Sequence, residues 1–352
     1  MNQNAKDVKI EFRKPIFPII KDLNSYLEKY SRTTKSRVLY DDLLRFSGYI
    51  ALEDTKGNDT LWIRVYYPEF ERQEIDNSLK KIYTLLHSDG DEDTIPYLSV
   101  DSIDYCTFGN SKPFRVKVRN ILNDNFTNFY IKLADASRIY GLELEDMLSQ
   151  NRINFLVYQN TLIEEHIIGI PGDIFIKEHL PNCSKQEKAQ IAKEFVKFNE
   201  RCFLGLLGDM RSYNYVVIPI HDFDHVQYRI RAIDFDQQSY EGNLKIYFPQ
   251  FFKENYQMVR LVIEYLKQNS VEQYRKEVRS VIAKRILTSE ERLRDLMRIM
   301  RTEQIAPQQH VEQLKTALLK TTKEPRFKNC KTMGDIVYIG LNLIVKNYRP
   351  TE

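Results

Sequence analysis

The sequence predicts an α+β protein, with strands through its first two thirds and helices filling the rest. Three observations carry this. Short runs rich in β-branched and aromatic residues recur between residues 48 and 168, bounded by turn residues. A second strand pair, 216–220 and 226–233, flanks the polar segment His221-Asp222-Phe223-Asp224-His225, which is a hairpin signature. Beyond residue 250 the apolar residues fall at helical spacing instead.

In chain order, Ile19, Ile20, Leu23, Tyr26, Leu27 and Tyr30 predict a helix behind Pro18, and 40–46 a second. Residues 48–67 read as a hairpin turning at 54–59, and Ile75, Leu79, Ile82 and Leu86 stripe a helix after Pro68. The acidic run 88–93 reads as a linker and sets the first expected domain boundary, so that 1–93 is an N-terminal extension. Strands follow at 102–108, 114–118 and 126–134, then a helix over 136–150, then strands at 153–158 and 161–168 across a Gln159-Asn160 turn. Ser184 and Glu187 form a capping-box sequence that opens a helix running to about Phe203, with Ile191, Phe195, Phe198 and Cys202 on its buried stripe. Helices are expected at 251–267, 271–287, 289–302 (behind a second capping box, Thr288 and Glu291), 311–320 and 333–345.

Composition narrows the function classes. Of 352 residues, 42% are hydrophobic and 29% charged, which describes an ordinary globular chain. Lys and Arg number 52 against 49 Asp and Glu, too even a balance to imply a nucleic-acid partner. No apolar run approaches the ~18 residues of a membrane span, and the N-terminus has no apolar signal core. Cys106, Cys183, Cys202 and Cys330 are widely spaced and form no C-x-x-C, which fits free thiols. A cytoplasmic protein with no membrane partner is expected.

The chemistry lies in 206–236. Asp209 and Asn214 precede the first hairpin strand, and Asp234 follows the second. Antiparallel pairing brings those ends side by side, so three oxygen ligands converge. Carboxylate and amide oxygens suit Mg2+, which completes its shell with water and phosphate. The order Asp209-Met-Arg-Ser-Tyr-Asn214, hairpin, Asp234-Phe235-Asp236 resembles the catalytic core of the protein-kinase-like superfamily. Its wording is similar to the small-molecule phosphotransferases, aminoglycoside and choline kinases, with Leu207-Gly208 where protein kinases carry His-Arg. The histidine pair at the hairpin tip, His221 and His225, reads as a wet turn in preference to a metal site.

This resemblance implies a bilobal kinase-like fold, with an antiparallel small lobe and hinge over 94–172 and a mainly helical large lobe over 173–352. It implies ATP and Mg2+ as cofactors and an unidentified hydroxyl acceptor, protein or small molecule. Asp209 would accept the hydroxyl proton, and Asn214 and Asp234 would hold the metal. Lys132, on the third strand of the small lobe, would hold the nucleotide phosphates, paired with Glu143 from the inward face of the next helix. The phosphate loop would be 108–113, where Gly109 stands alone in place of three glycines, with help from Ser111 and Lys112. Glu165 and Ile167 would hold the adenine edge through their main chain. No Ala-Pro-Glu follows Asp236, which weakens the case for a peptide-docking segment. Taking the first hairpin as the small lobe would put Arg64 at the lysine position, where a guanidinium is a poor substitute. A nucleotide-binding pseudoenzyme or scaffold is the alternative, and transfer of another part of ATP, such as AMP, is a third.

Overall fold

The computed structural model describes residues 14–88, 90–222 and 225–348, with the side chains of 222 and 225 left aside. The chain is mixed α+β and divides into two compact units. One, here the sheet unit, is Ile16–Ala136 with Ile153–His166. The other, the helical unit, takes the described residues of Met1–Pro15, Ser137–Arg152 and Ile167–Glu352.

The sheet unit holds α1 (Lys21–Lys29), α2 (Tyr40–Leu43), the hairpin β1 (Gly48–Glu53) and β2 (Asp59–Tyr66), and α3 (Glu69–His87). β3 (Leu98–Cys106), β4 (Phe114–Asn120), β5 (Asn125–Leu133), β6 (Phe155–Tyr158) and β7 (Thr161–Glu165) complete it. Among the described residues these seven strands form one antiparallel sheet in the order β1-β2-β3-β4-β5-β7-β6. The first turn is built as its residues dictate. Asp54 Oδ1 accepts from the Lys56 and Asn58 amides at 2.8 and 2.9 Å, and Gly57 supplies φ +78°. α3 packs on β3 and β4, burying Leu79, Ile82 and Leu86 among Val100, Val116 and Val118. Each such side chain withdrawn from water contributes about 1.5–3 kcal/mol.

That packing corrects the expected boundary at residue 93. Trp62, Ile63 and Arg64 of β2 pair with Cys106, Tyr105 and Asp104 of β3, so the N-terminal hairpin extends the same sheet. The described residues of the acidic run lie between α3 and β3, and a 3-10 turn covers Glu92–Tyr97. The expected strand limits shift as well, since β3 starts at Leu98 and β7 ends at Glu165.

In the helical unit, α4 (Ala136–Leu148) is followed by the short β8 (Ile170–Pro171), α5 (Gly172–Ile174) and α6 (Lys185–Gly205). The α6 capping box forms reciprocally, Ser184 Oγ accepting from the Glu187 amide and Glu187 Oε2 from the Ser184 amide at 2.8 Å. Its predicted stripe of Ile191, Phe195, Phe198 and Cys202 is buried throughout. β9 (Tyr215–Asp222) and β10 (His225–Ala232) make the second hairpin, paired from Asp222↔His225 to Tyr215↔Ala232. Then come α7 (Tyr256–Tyr265), α8 (Gln268–Thr288), α9 (Glu290–Met300), α10 (Gln308–Thr322) and α11 (Met333–Tyr348). Thr288 does not cap α9. Its hydroxyl donates to Arg285 O at 3.0 Å, closing α8. Among the described residues no helix is long and apolar enough to cross a membrane.

Candidate functional site

The site grows from the end of α6. Leu206 caps that helix in the left-handed region at φ +51°, and Leu207 bridges to Gln238. Gly208 then passes so close to Gln237 that an added Cβ would stand 2.9 Å from its carbonyl oxygen, and 3.0 Å from Ile246 Cγ2. The Gly208 amide donates to Gln237 O and the Asp209 amide to Ile246 O, each at 3.2 Å. Asp209 itself sits at φ +57°, a conformation costly for a residue with a Cβ and common at functional sites.

The loop beyond Asp209 closes on itself. Asn214 Nδ2 donates to Asp209 O at 2.7 Å, and the Arg211 amide to the same carbonyl at 2.8 Å. Beneath it the fully buried Asn255 donates to Met210 O at 2.9 Å and Pro249 O at 2.8 Å, while accepting from Tyr215 Oη at 2.9 Å. The β9–β10 register does what antiparallel pairing predicts. Tyr215 lies opposite Ala232, and the Ile233 amide donates to Asn214 O at 3.0 Å, delivering Asp234 beside the Asp209 loop.

Burial raises the Asp209 carboxyl to about 6; Arg211 opposes the shift, while the charges of Asp234 and Glu254 add to it. Arg211 Nε donates to Asp209 Oδ1 and its Nη1 to Glu254 Oε1, both at 2.8 Å. Asp234 Oδ1 accepts from the Asp236 amide at 3.0 Å and lies 3.6 Å from the Arg138 guanidinium. Arg138 is almost fully buried and also donates to the Asp236 carboxylate, and Lys14 Nζ donates to Asp236 O at 2.7 Å. Asp209 Oδ2, Asn214 Oδ1 and Asp234 Oδ2 accept no hydrogen bond among the described residues. Two carboxylates and an amide are too few for an all-protein cage. Among the described residues no three His, Cys, Asp or Glu side chains gather as a metal-binding group. The set fits a hard cation that keeps water and phosphate in its shell, as Mg2+ does.

The other expected residues divide between the units. In the sheet unit Lys132 is buried on β5 and donates to Glu164 Oε2 of the neighbouring β7 at 2.5 Å. Glu143, expected as its partner, is fully buried in the helical unit. There Arg292 grips it with Nη2 at 2.7 and 2.8 Å and Nε at 3.0 Å. A buried carboxylate on α4 does need a cation, as its position implies, and the cation comes from α9. The 108–113 loop turns at Gly109 (φ +84°) and Lys112 (φ +36°), with Tyr40 Oη donating to Lys112 O at 2.8 Å and Ser111 half-buried. The Glu165 amide is committed to Asn154 O at 3.0 Å, while Ile167 makes no hydrogen bond among the described residues. Between them His166 packs on Tyr130, whose hydroxyl meets its Nδ1 at 3.2 Å. The tip pair His221 and His225 cannot be placed as a pair, since the side chain of His225 lies outside the described residues.

Sequence reasoning missed Arg138, Arg211, Glu254, Asn255 and Lys14. Only Arg211 had a local signal, standing between Asp209 and Asn214. The rest come from distant segments, Glu254 and Asn255 to the Asp209 loop and Lys14 and Arg138 to the Asp234–Asp236 run. No protein-family model matches the chain, and no curated protein matches it by sequence.

Proposed function

We propose that the chain is an ATP- and Mg2+-dependent phosphotransferase on a bilobal kinase-like fold, moving the γ-phosphoryl group to a hydroxyl of a protein or small molecule. The observation that carries this reading is the Asp209 carboxyl. It is raised to about 6, beside Asp234, with one oxygen steadied by Arg211 and the other without a protein donor among the described residues. A general base is most effective when its proton affinity lies near the working pH, which is where burial has put Asp209.

On this reading Asp209 Oδ2 accepts the proton of the acceptor hydroxyl while Arg211 holds Oδ1. The acceptor oxygen then bonds to the γ-phosphorus, and the bond to the β-bridging oxygen breaks to release ADP. Asn214 Oδ1 and Asp234 would hold Mg2+, which supplies neutralisation of phosphate charge when bound. Asn214 also fixes the loop through its amide, so its removal affects position as well as metal affinity. Arg138 orients the Asp234-Phe235-Asp236 run. In the sheet unit Lys132 and the 108–113 loop are assigned to the nucleotide. Free Cys106, Cys183, Cys202 and Cys330 fit the cytoplasmic setting such an enzyme would use.

A nucleotide-binding pseudoenzyme is favoured by one feature, the buried Arg138 cation that already faces Asp234. Calorimetry with ATP, with and without Mg2+, and assays for ADP and pyrophosphate separate the readings. Mg2+-dependent binding with ADP release supports phosphoryl transfer. Pyrophosphate release identifies AMP transfer, binding without turnover a pseudoenzyme, and no binding by folded protein overturns all three.

A further inference from the structure

We propose that the helical unit carries a second ligand site, for a single-chain amphipathic anion, in the groove among α6, α8, α10 and α11. The groove encloses about 950 Å3, the size of a small-molecule site. Its floor is apolar, formed by Leu206, Leu318, Phe327, Val337 and Ile344, all at most 5% exposed. These side chains lie at the base of the space between the helices. A flexible acyl chain can bend along a floor contributed by several elements, which a rigid helix some 10–12 Å across cannot.

The rim selects the head group. Lys276 of α8 and Lys346 of α11 line the groove, and neither forms an ion pair among the described residues. Of the other charged lining groups, Arg279 Nε donates to Glu200 at 2.6 Å, and Glu324 accepts from Arg326 Nε at 2.7 Å while the nearby Lys346 charge also helps to hold its carboxyl down. Two ammonium groups without a direct carboxylate partner among the described residues, above an apolar floor, suit a carboxylate with a hydrocarbon tail.

Gly340 is an independent sign that the space is kept. It lies inside α11 and lines the groove, and a Cβ built there meets nothing within 4 Å. Glycine weakens a helix interior relative to alanine, so an open position held by glycine costs stability without any packing reason. The missing side chain leaves the cleft clear.

Titration of the full chain with laurate, against dodecyltrimethylammonium and dodecanol, tests this by calorimetry below the concentration at which each probe self-associates. Laurate is expected to bind at one per chain, at least about tenfold more tightly than either control. Gly340→Phe fills open space and should lower laurate affinity about tenfold or more. Gly340→Ala, which adds only a methyl, controls for helix stability, and melting curves confirm folding of each variant. Lys276→Gln with Lys346→Gln should erase the preference for the anion while dodecanol binding persists. Failure of folded protein to bind laurate, equal binding of the cationic probe, or laurate binding unchanged in Gly340→Phe would each overturn the proposal. Nucleotide assays on the same variants should be unchanged, since none of these residues belongs to the Asp209 site.

Discussion

Arg211 Nε donates to Asp209 Oδ1 at 2.8 Å, while its Nη1 is held by Glu254 at the same distance. The guanidinium thus ties up one carboxylate oxygen of the proposed base without neutralising the effect of burial, which leaves Asp209 at about 6. That balance gives Asp209 a pH signature in both stability and activity.

The folded protein binds the Asp209 proton more tightly than the unfolded chain, whose ordinary value is 3.8. This contribution to stability is therefore complete below pH 3.8 and is lost as pH rises through about 6. In urea unfolding, Asp209→Asn should gain on wild type between pH 4.5 and 7.5 by on the order of 1–3 kcal/mol. Phosphoryl transfer should run the other way, falling below about pH 6 as the base protonates. A variant that tracks wild type across this range would show that Asp209 does not titrate there.

Removal of Asp209 and of Asp234 should differ in kind. Asp209→Asn is expected to lower turnover by about 100- to 10,000-fold with nucleotide affinity nearly intact. Asp234→Asn should weaken Mg2+-dependent nucleotide binding as well as turnover. Steady-state kinetics beside nucleotide titration, with folding checked by circular dichroism, distinguish the two patterns. The same pattern for both variants would contradict the assigned roles.

Glu143 and Arg292 form a structural clamp, and its energetics are testable without any assay of function. Arg292→Met removes the guanidinium that grips the fully buried Glu143 carboxylate and should cost roughly 3–5 kcal/mol. Adding Glu143→Met should restore part of that loss, because one buried carboxylate leaves with its partner while Asp146, which Arg292 Nη1 also holds at 3.2 Å, still loses that contact. Denaturant midpoints of the two single variants and the double variant measure the coupling. Additive losses would mean that the pair contributes nothing as a pair.

Asn255 supports the Asp209 loop from below. Asn255→Leu leaves Met210 O, Pro249 O and Tyr215 Oη without their partner, costing roughly 1–3 kcal/mol for each buried group left unpaired. Turnover should fall with little change in nucleotide affinity, because the loop that carries Asp209 loses its anchor. A stable variant with unchanged turnover would show that the loop holds itself.

Much of this molecule is legible from the chain because the relevant contacts are local. The hairpin of β9 and β10 is set by alternating apolar residues on either side of a short polar turn. Its antiparallel register alone brings Asn214 beside Ile233, and with it Asp209 toward Asp234. The Ser184–Glu187 capping box acts within one helical turn and forms as its spacing predicts. What only the tertiary structure decided are the pairings between distant segments. Burying Glu143 demands a cation, but any Lys or Arg that the fold delivers can answer, and α9 delivered Arg292 from 149 residues away. Lys132 found Glu164 instead, because adjacent strands of one sheet hold the two side chains within reach. The acidic run at 88–93 has the composition of a linker, yet the backbone groups on the edge of β3 accept β2 whatever connects them. Local patterning specifies elements and their turns, whereas partners for buried charges and open strand edges are chosen by whichever distant segment packs there.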